Sequence, residues 1–248
     1  MTVIFGLLLF IATIFISMVM HEAGHFLIAK RFGVIADEFS IGLGKKAVFS
    51  VTKGKTKWSL RPVPLGAYCD FVDREGGLCD LPVGKRIAVY LAGPLTNILS
   101  GMVLFIIAGA LVGKNIFIMM GSYFALGFQT VGDGIMMIGK VFSFDTYADI
   151  GSGNGMFSSI LNQFSGIQAV SGVLMMAAIL MFILGLSNLL PIPGFDGGQI
   201  LFALPELFGK KLKLKTVNKI NYVCFMAITV LSLMILAEVG LGLLYGSL

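Results

Sequence analysis

Along this chain the polar positions are the rare ones, and they cluster between long apolar runs. From residue 3 to residue 20 only Thr13 and Ser17 are mildly polar, and Phe26-Leu27-Ile28-Ala29 resumes the run before it stops at Lys30-Arg31. At about 1.5 Å per residue this stretch exceeds the roughly 30 Å hydrocarbon thickness of a bilayer, so residues 3–30 are predicted to form a transmembrane helix closed by Gly33. Three further spans are predicted: residues 87–112 after Lys85-Arg86, residues 169–190, and residues 221–245 after Lys210, Lys211, Lys213, Lys215 and Lys219.

The segments between the spans carry other patterns. Within residues 36–75, two short β-prone runs flank Lys53-Gly54-Lys55 and predict a hairpin. Pro62-Val63-Pro64-Leu65-Gly66-Ala67-Tyr68 comes next, too short to span and broken by two prolines. It reads either as an ordinary cytoplasmic loop or as a sheet dipping toward the first span. In the second case an extended substrate could add as a strand near Leu65 and Gly66. Residues 113–168 hold a moderately amphipathic piece, 116–144, and a Gly/Ser/Asn-rich connector, 151–162. Asp133 and Lys140 argue against a lipid-facing span there, so an outer interfacial or surface helix plus a loop is expected. The fold class expected is a mainly α membrane protein in one domain, residues 1–248. It would have about four transmembrane helices and a cytoplasmic-side, membrane-dipping β-hairpin or sheet between the first and second.

Composition agrees: 57% of the 248 residues are hydrophobic and 12% charged, which excludes an ordinary soluble domain. The net charge of +5 is not a nucleic-acid signature, because the basic residues flank apolar runs instead of forming an aromatic-interleaved patch. Of the 18 Lys and Arg, 11 lie between Lys30 and Arg86 and 5 between Lys210 and Lys219. Positive-inside then places both basic loops in the cytoplasm and both termini outside. Cys69, Cys79 and Cys224 have neither a disulfide framework's even number nor C-x-x-C spacing. No basic n-region precedes the first apolar run, so no cleavable signal peptide is expected.

Chemistry concentrates in His21-Glu22-Ala23-Gly24-His25, an H-E-x-x-H pattern inside the first span. Four residues apart on a helix, His21 and His25 share a face and can hold a Zn²⁺, with Glu22 beside them as a base for a water. A charge at mid-membrane costs about 2.5–3.5 kcal/mol on insertion scales, a cost that marks a working site more than a decorative one. His25 lies roughly 8 Å and His21 roughly 14 Å before Lys30, nearer the basic side of the bilayer. These are the only two histidines, so a third protein ligand must come from elsewhere. The third span ends in Asn188-Leu189-Leu190-Pro191-Ile192-Pro193-Gly194-Phe195-Asp196-Gly197-Gly198, where prolines and glycines unwind the helix. Irregular backbone at membrane depth is tolerated where it lines a cavity, and Asp196 there needs a cation. A third zinc ligand is favoured over an N-cap aspartate opening the next helix. In the second span, Pro94 removes a helix hydrogen bond and Gly93 leaves room for close approach. Asn97 has two open uses, gluing helices together or holding a substrate backbone.

His21-Glu22-x-x-His25 and Asn188-x-x-Pro191-x-x-x-x-Asp196-Gly197 resemble the signatures of the site-2 proteases, zinc metalloproteases that cut inside membranes. Phe39-Ser40-Ile41-Gly42, Val63-Pro64-Leu65-Gly66, Ala92-Gly93-Pro94-x-x-Asn97 and Ser165-Gly166-Ile167 resemble the bacterial regulatory branch, which degrades anti-sigma factors and signal-peptide remnants. The resemblance implies one Zn²⁺ on His21, His25 and Asp196, Glu22 as general base, and Asn97, Asn188 and Pro191 along the substrate path. It implies single-span membrane proteins as substrates, within a bacterial cytoplasmic membrane. Members of this branch commonly carry a PDZ domain between the second and third spans, and residues 113–170 are too short and wrong in pattern for one. A zinc carrier would instead spread polar residues across several spans, and an inactive scaffold would have no use for Glu22.

Overall fold

The computed structural model describes residues 2–71, 77–143, 170–210 and 212–245. Helix α1, Thr2–Arg31, ends where Gly33 takes a left-handed φ of 83° and Val34 N–H returns to Ala29 O at 3.0 Å. This is a glycine-terminated helix end, and it turns the chain into a sheet. Strands β1, Ala36–Leu43; β2, Phe49–Lys53; β3, Thr56–Leu60; and β4, Val63–Phe71, form one four-stranded sheet in the order β2-β3-β1-β4. β2 and β3 are the hairpin expected around Gly54, whose φ is 68°. β1 pairs with β3 in parallel and with β4 antiparallel, so β4 is an edge strand.

The sheet is fixed to α1 by an aromatic cluster. Phe26 of α1 meets Phe39 of β1 and Trp58 of β3 with ring centroids 5.5 and 5.3 Å apart. On the polar side, Glu38 accepts hydrogen bonds from Ser59 and from Arg61 Nη2 at 2.9 Å, and Lys57 lies 3.6 Å away. Burial alone would push the Glu38 carboxyl up. The Ser59, Arg61 and Tyr68 donors outweigh it and hold the group at about 2.

Helix α2, Val83–Leu111, crosses α1 and packs along α4, Val170–Asn188. Close approach follows from small residues. A Cβ on Gly24 would lie 2.6 Å from Ala92 O, and one on Gly185 would lie 2.7 Å from Pro94 O. Helix α3, Ile116–Ser143, packs one face of its first half against α2 and α4 and leaves most of that half exposed. Tyr123 is fully buried, donates to Ile98 O at 2.8 Å and meets Phe182 edge-on. Met119 sits against Gly109. Asp133 and Lys140, which suggested a surface position, belong to the second half of the helix.

A turn after α4 leads to the short helix α5, Asp196–Ala203, a 3₁₀ turn at Leu204–Phe208, and α6, Leu214–Tyr245. Among the described residues, α1, α2 and α4 are long and apolar enough to cross a membrane. The fold is therefore mainly α with a small sheet, an integral membrane architecture. The fourth expected span falls within α6, and the 151–162 connector lies outside the described residues.

Candidate metal centre

One turn of α1 presents both histidines to the same point. Their rings are edge-on, with centroids 4.7 Å apart and Nε2 atoms 3.1 Å apart. Asp196 comes from the far side of the fold. Gly194, at φ 100°, turns the chain after α4, and its N–H is taken by Asn221 Oδ1 of α6 at 3.0 Å. Gly197 and Gly198 then pass against the carbonyls of Leu189, Leu190 and Ile192, where any side chain would collide. Asp196 is the first residue of α5, one position inside the N-cap, which is Phe195. Its Oδ2 reaches to 3.0 Å from His21 Nε2 and 3.4 Å from His25 Nε2.

The residues present fit a zinc ion. Two imidazole nitrogens and one carboxylate oxygen are a usual zinc donor set. Tetrahedral bonds of about 2.0–2.1 Å place donor atoms about 3.3 Å apart, close to the three separations found. Asp196 Oδ2 is buried and unsatisfied as a hydrogen-bond acceptor, which a shared cation would remedy. His25 Nδ1 lies 2.7 Å from Val89 O; the carbonyl can only accept, so Nδ1 carries the proton and Nε2 keeps its lone pair. Asn97 is buried, with its amide 3.5 Å from His21 Nδ1 and its Oδ1 without a donor. Turning the amide over sets Oδ1 against His21 Nδ1 and gives this imidazole the same proton arrangement as His25.

Glu22 faces the sheet. Its Oε2 accepts the N–H of Cys69, on the edge strand β4, at 3.1 Å. Gly93 lies against both imidazoles, and a Cβ there would collide with His25 Nε2 and lie 2.9 Å from His21 Cε1. His21, Glu22, His25, Asp196 and Asn97 are thus gathered in one place. Gly66 is buried against Leu43, and Leu65 lies beside it on β4. Asn188 donates its Nδ2 to Leu184 O within α4 at 2.8 Å, and Pro191 is exposed in the turn after that helix. Sequence reasoning missed the Val89 carbonyl, the Cys69 N–H and Asn221. The first two are backbone groups that carry no residue signature, and Asn221 reads as an ordinary helix-start polar residue.

Residues 9–232 match the family described as Peptidase family M50. A candidate zinc metalloprotease of Neisseria meningitidis is 43% identical over 109 residues, 40% of this chain and 24% of that protein. A candidate zinc metalloprotease of Fusobacterium nucleatum is 35% identical over 118 residues, 45% of this chain and 32% of that protein. The zinc metalloprotease Rip1 of Mycobacterium tuberculosis is 33% identical over 110 residues, 40% of this chain and 27% of Rip1. The chain therefore spans between a quarter and a third of the length of these relatives.

Proposed function

The chain belongs to peptidase family M50, and from that premise we propose a zinc-dependent intramembrane endopeptidase that cuts within transmembrane segments of single-span proteins or signal-peptide remnants. The observation that carries this reading is the convergence of His21, His25 and Asp196 beside Glu22, on helices apolar enough to span a bilayer. His21, His25 and Asp196 hold the metal, which when bound polarises the scissile carbonyl and lowers the pKa of water toward about 7.

The protein's own groups do the rest. Val89 O and the Asn97 amide fix the imidazole tautomers. Cys69 N–H occupies Glu22 Oε2, which leaves Oε1 to take a proton from the attacking water and return it to the leaving amine. Peptide bonds in a transmembrane helix are shielded by their own hydrogen bonds, so the substrate must unwind locally. An extended segment can pair with the free edge of β4 around Leu65 and Gly66, upstream of the donor already given to Glu22. Asn188 and Pro191 shape the path from the turn that carries Asp196. The basic loops at 30–86 and 210–219 support an orientation with the site toward the cytoplasm of a bacterial inner membrane.

The test is cleavage of a single-span reporter in liposomes by the parent and by Glu22→Gln, with bound zinc measured in both. The expected result is a loss of roughly 10²–10⁴-fold in rate with zinc retained. Zinc bound without cleavage by either form, across several single-span substrates, would favour a metal carrier or a helix-binding scaffold.

A further inference from the structure

Outside the metal centre, Arg86 is a buried cation whose two contacts lie just past β4 and α5, the elements that hold Glu22 and carry Asp196. Arg86 lies in the first turn of α2 and is 5% exposed. Its Nη2 is 2.7 Å from Glu206 Oε2, and its Nη1 makes a longer contact of 3.4 Å to Cys79 O. Glu206 stands on the 3₁₀ turn that continues α5, the helix opened by Asp196, with no intervening loop. Cys79 lies on the 3₁₀ turn Leu78–Asp80 after β4, the strand whose Cys69 N–H holds Glu22. Three residues after Arg86 on the same helix, Val89 O holds His25. The first turns of α2 thus grip His25 directly and the Asp196 helix through Glu206.

At its start α5 is packed by Gly197 and Gly198 against the carbonyls of Leu189, Leu190 and Ile192; past its end the contact is Glu206 on Arg86. A partly open pocket of about 60 Å³ adjoins this end, lined by Arg86 and Glu206 themselves with Tyr90, Gln199, Phe202 and Ala203. Such a pocket leaves the end of the helix room to shift by fractions of an ångström, whereas the contact of the buried Arg86 with the half-buried Glu206 carboxylate holds a narrow range of distances. A buried guanidinium is also costly unless it is paired, which favours the closed arrangement.

We propose that Arg86 and Glu206 form a positioning pair that sets the distance between Asp196 and the two histidines, and so sets the affinity for the metal. This rests on the reading of His21, His25 and Asp196 as a zinc centre. Neither residue touches the reacting atoms; they act through α5.

The experiment titrates the purified full-length chain in detergent with Zn²⁺ against a competing chelator, and with Co²⁺ followed by its visible d–d absorption. Glu206→Gln and Arg86→Met are expected to weaken Zn²⁺ binding about tenfold, as outer partners of metal ligands do, and to shift the Co²⁺ bands. The exchanged pair R86E/E206R is expected to recover part of the lost affinity. A merely structural pair would lower the melting temperature of the metal-free chain and leave the Zn²⁺ affinity and Co²⁺ spectrum unchanged. That outcome in Glu206→Gln overturns the proposal, and this near-isosteric variant decides it should Arg86→Met fail to fold. His21→Ala separates the two readings. If it binds Zn²⁺ as the parent does, the metal centre falls and the positioning pair with it. If it loses Zn²⁺ while Glu206→Gln keeps parental affinity, the positioning pair alone falls.

Discussion

Gly93 offers the sharpest test of the geometry, because two opposing effects there can be sized. Replacing a helical glycine with alanine ordinarily stabilises a helix by about 1 kcal/mol. At this position the new methyl group would stand 2.6 Å from His25 Cε1 and 2.9 Å from His21 Cε1. Restoring carbon contacts of about 3.5 Å requires displacements of about 0.9 Å and 0.6 Å for the two rings. Metal–nitrogen bonds tolerate only about ±0.2 Å around their preferred length, so neither imidazole can follow its methyl-driven shift and remain a good ligand. Overpacking adds about 1–3 kcal/mol of destabilisation, which outweighs the helix gain or roughly cancels it. Gly93→Ala is therefore expected to fold with modestly changed stability, to bind Zn²⁺ at least about 100-fold more weakly, and to lose reporter cleavage. The control is Gly84→Ala, near the start of the same helix, where a Cβ meets nothing within 4 Å. Its stability should change by less than about 0.5 kcal/mol and its zinc affinity not at all. The assay is chelator-competed zinc binding, with melting curves of the metal-free chains. Parental zinc affinity in Gly93→Ala would refute the placement of the imidazoles against α2, whatever the melting curves show.

Two further outcomes concern stability. Glu38 titrates at about 2 against an ordinary 4.5, so its contribution is present above the unfolded value and is lost as pH falls from about 4.5 toward 2. Thermal melts followed by the fluorescence of Trp58, the sole tryptophan, should show that acid loss in the parent, and Glu38→Gln should be less stable at pH 7 with a flatter profile below pH 5; identical profiles would count against the Glu38–Ser59–Arg61 network. Phe182 is 1% exposed among Tyr123, Phe124 and Phe128, so Phe182→Ala should cost about 3–5 kcal/mol in detergent unfolding, and a cost below 1 would mean that α3 does not pack there.

The sequence by itself determined what depends on local spacing and on solvent preference. Apolar runs bounded by Lys30-Arg31 and Lys85-Arg86 mark α1 and α2, because a helix must satisfy its own backbone in lipid and basic residues stop at the interface. His21 and His25 lie on one face because a helix repeats every 3.6 residues, and the hairpin turns at Gly54 because that position takes a positive φ. The count of two histidines called for a third ligand from elsewhere, and Asp196 was the candidate because a carboxylate in irregular backbone at membrane depth needs a cation. Tertiary structure alone decided which groups meet across the fold. Val89 O and Cys69 N–H orient His25 and Glu22 through backbone atoms that every residue type carries, so no side chain announces them. One face of the first half of α3, at Met119, Tyr123 and Gly127, is buried, because the small residues Gly101 and Gly109 of α2 and the Phe182 ring of α4 receive it, a match that the polarity of α3 alone does not announce. Arg86 and Glu206 are 120 residues apart, and only the packing of α5 on α2 makes them a pair.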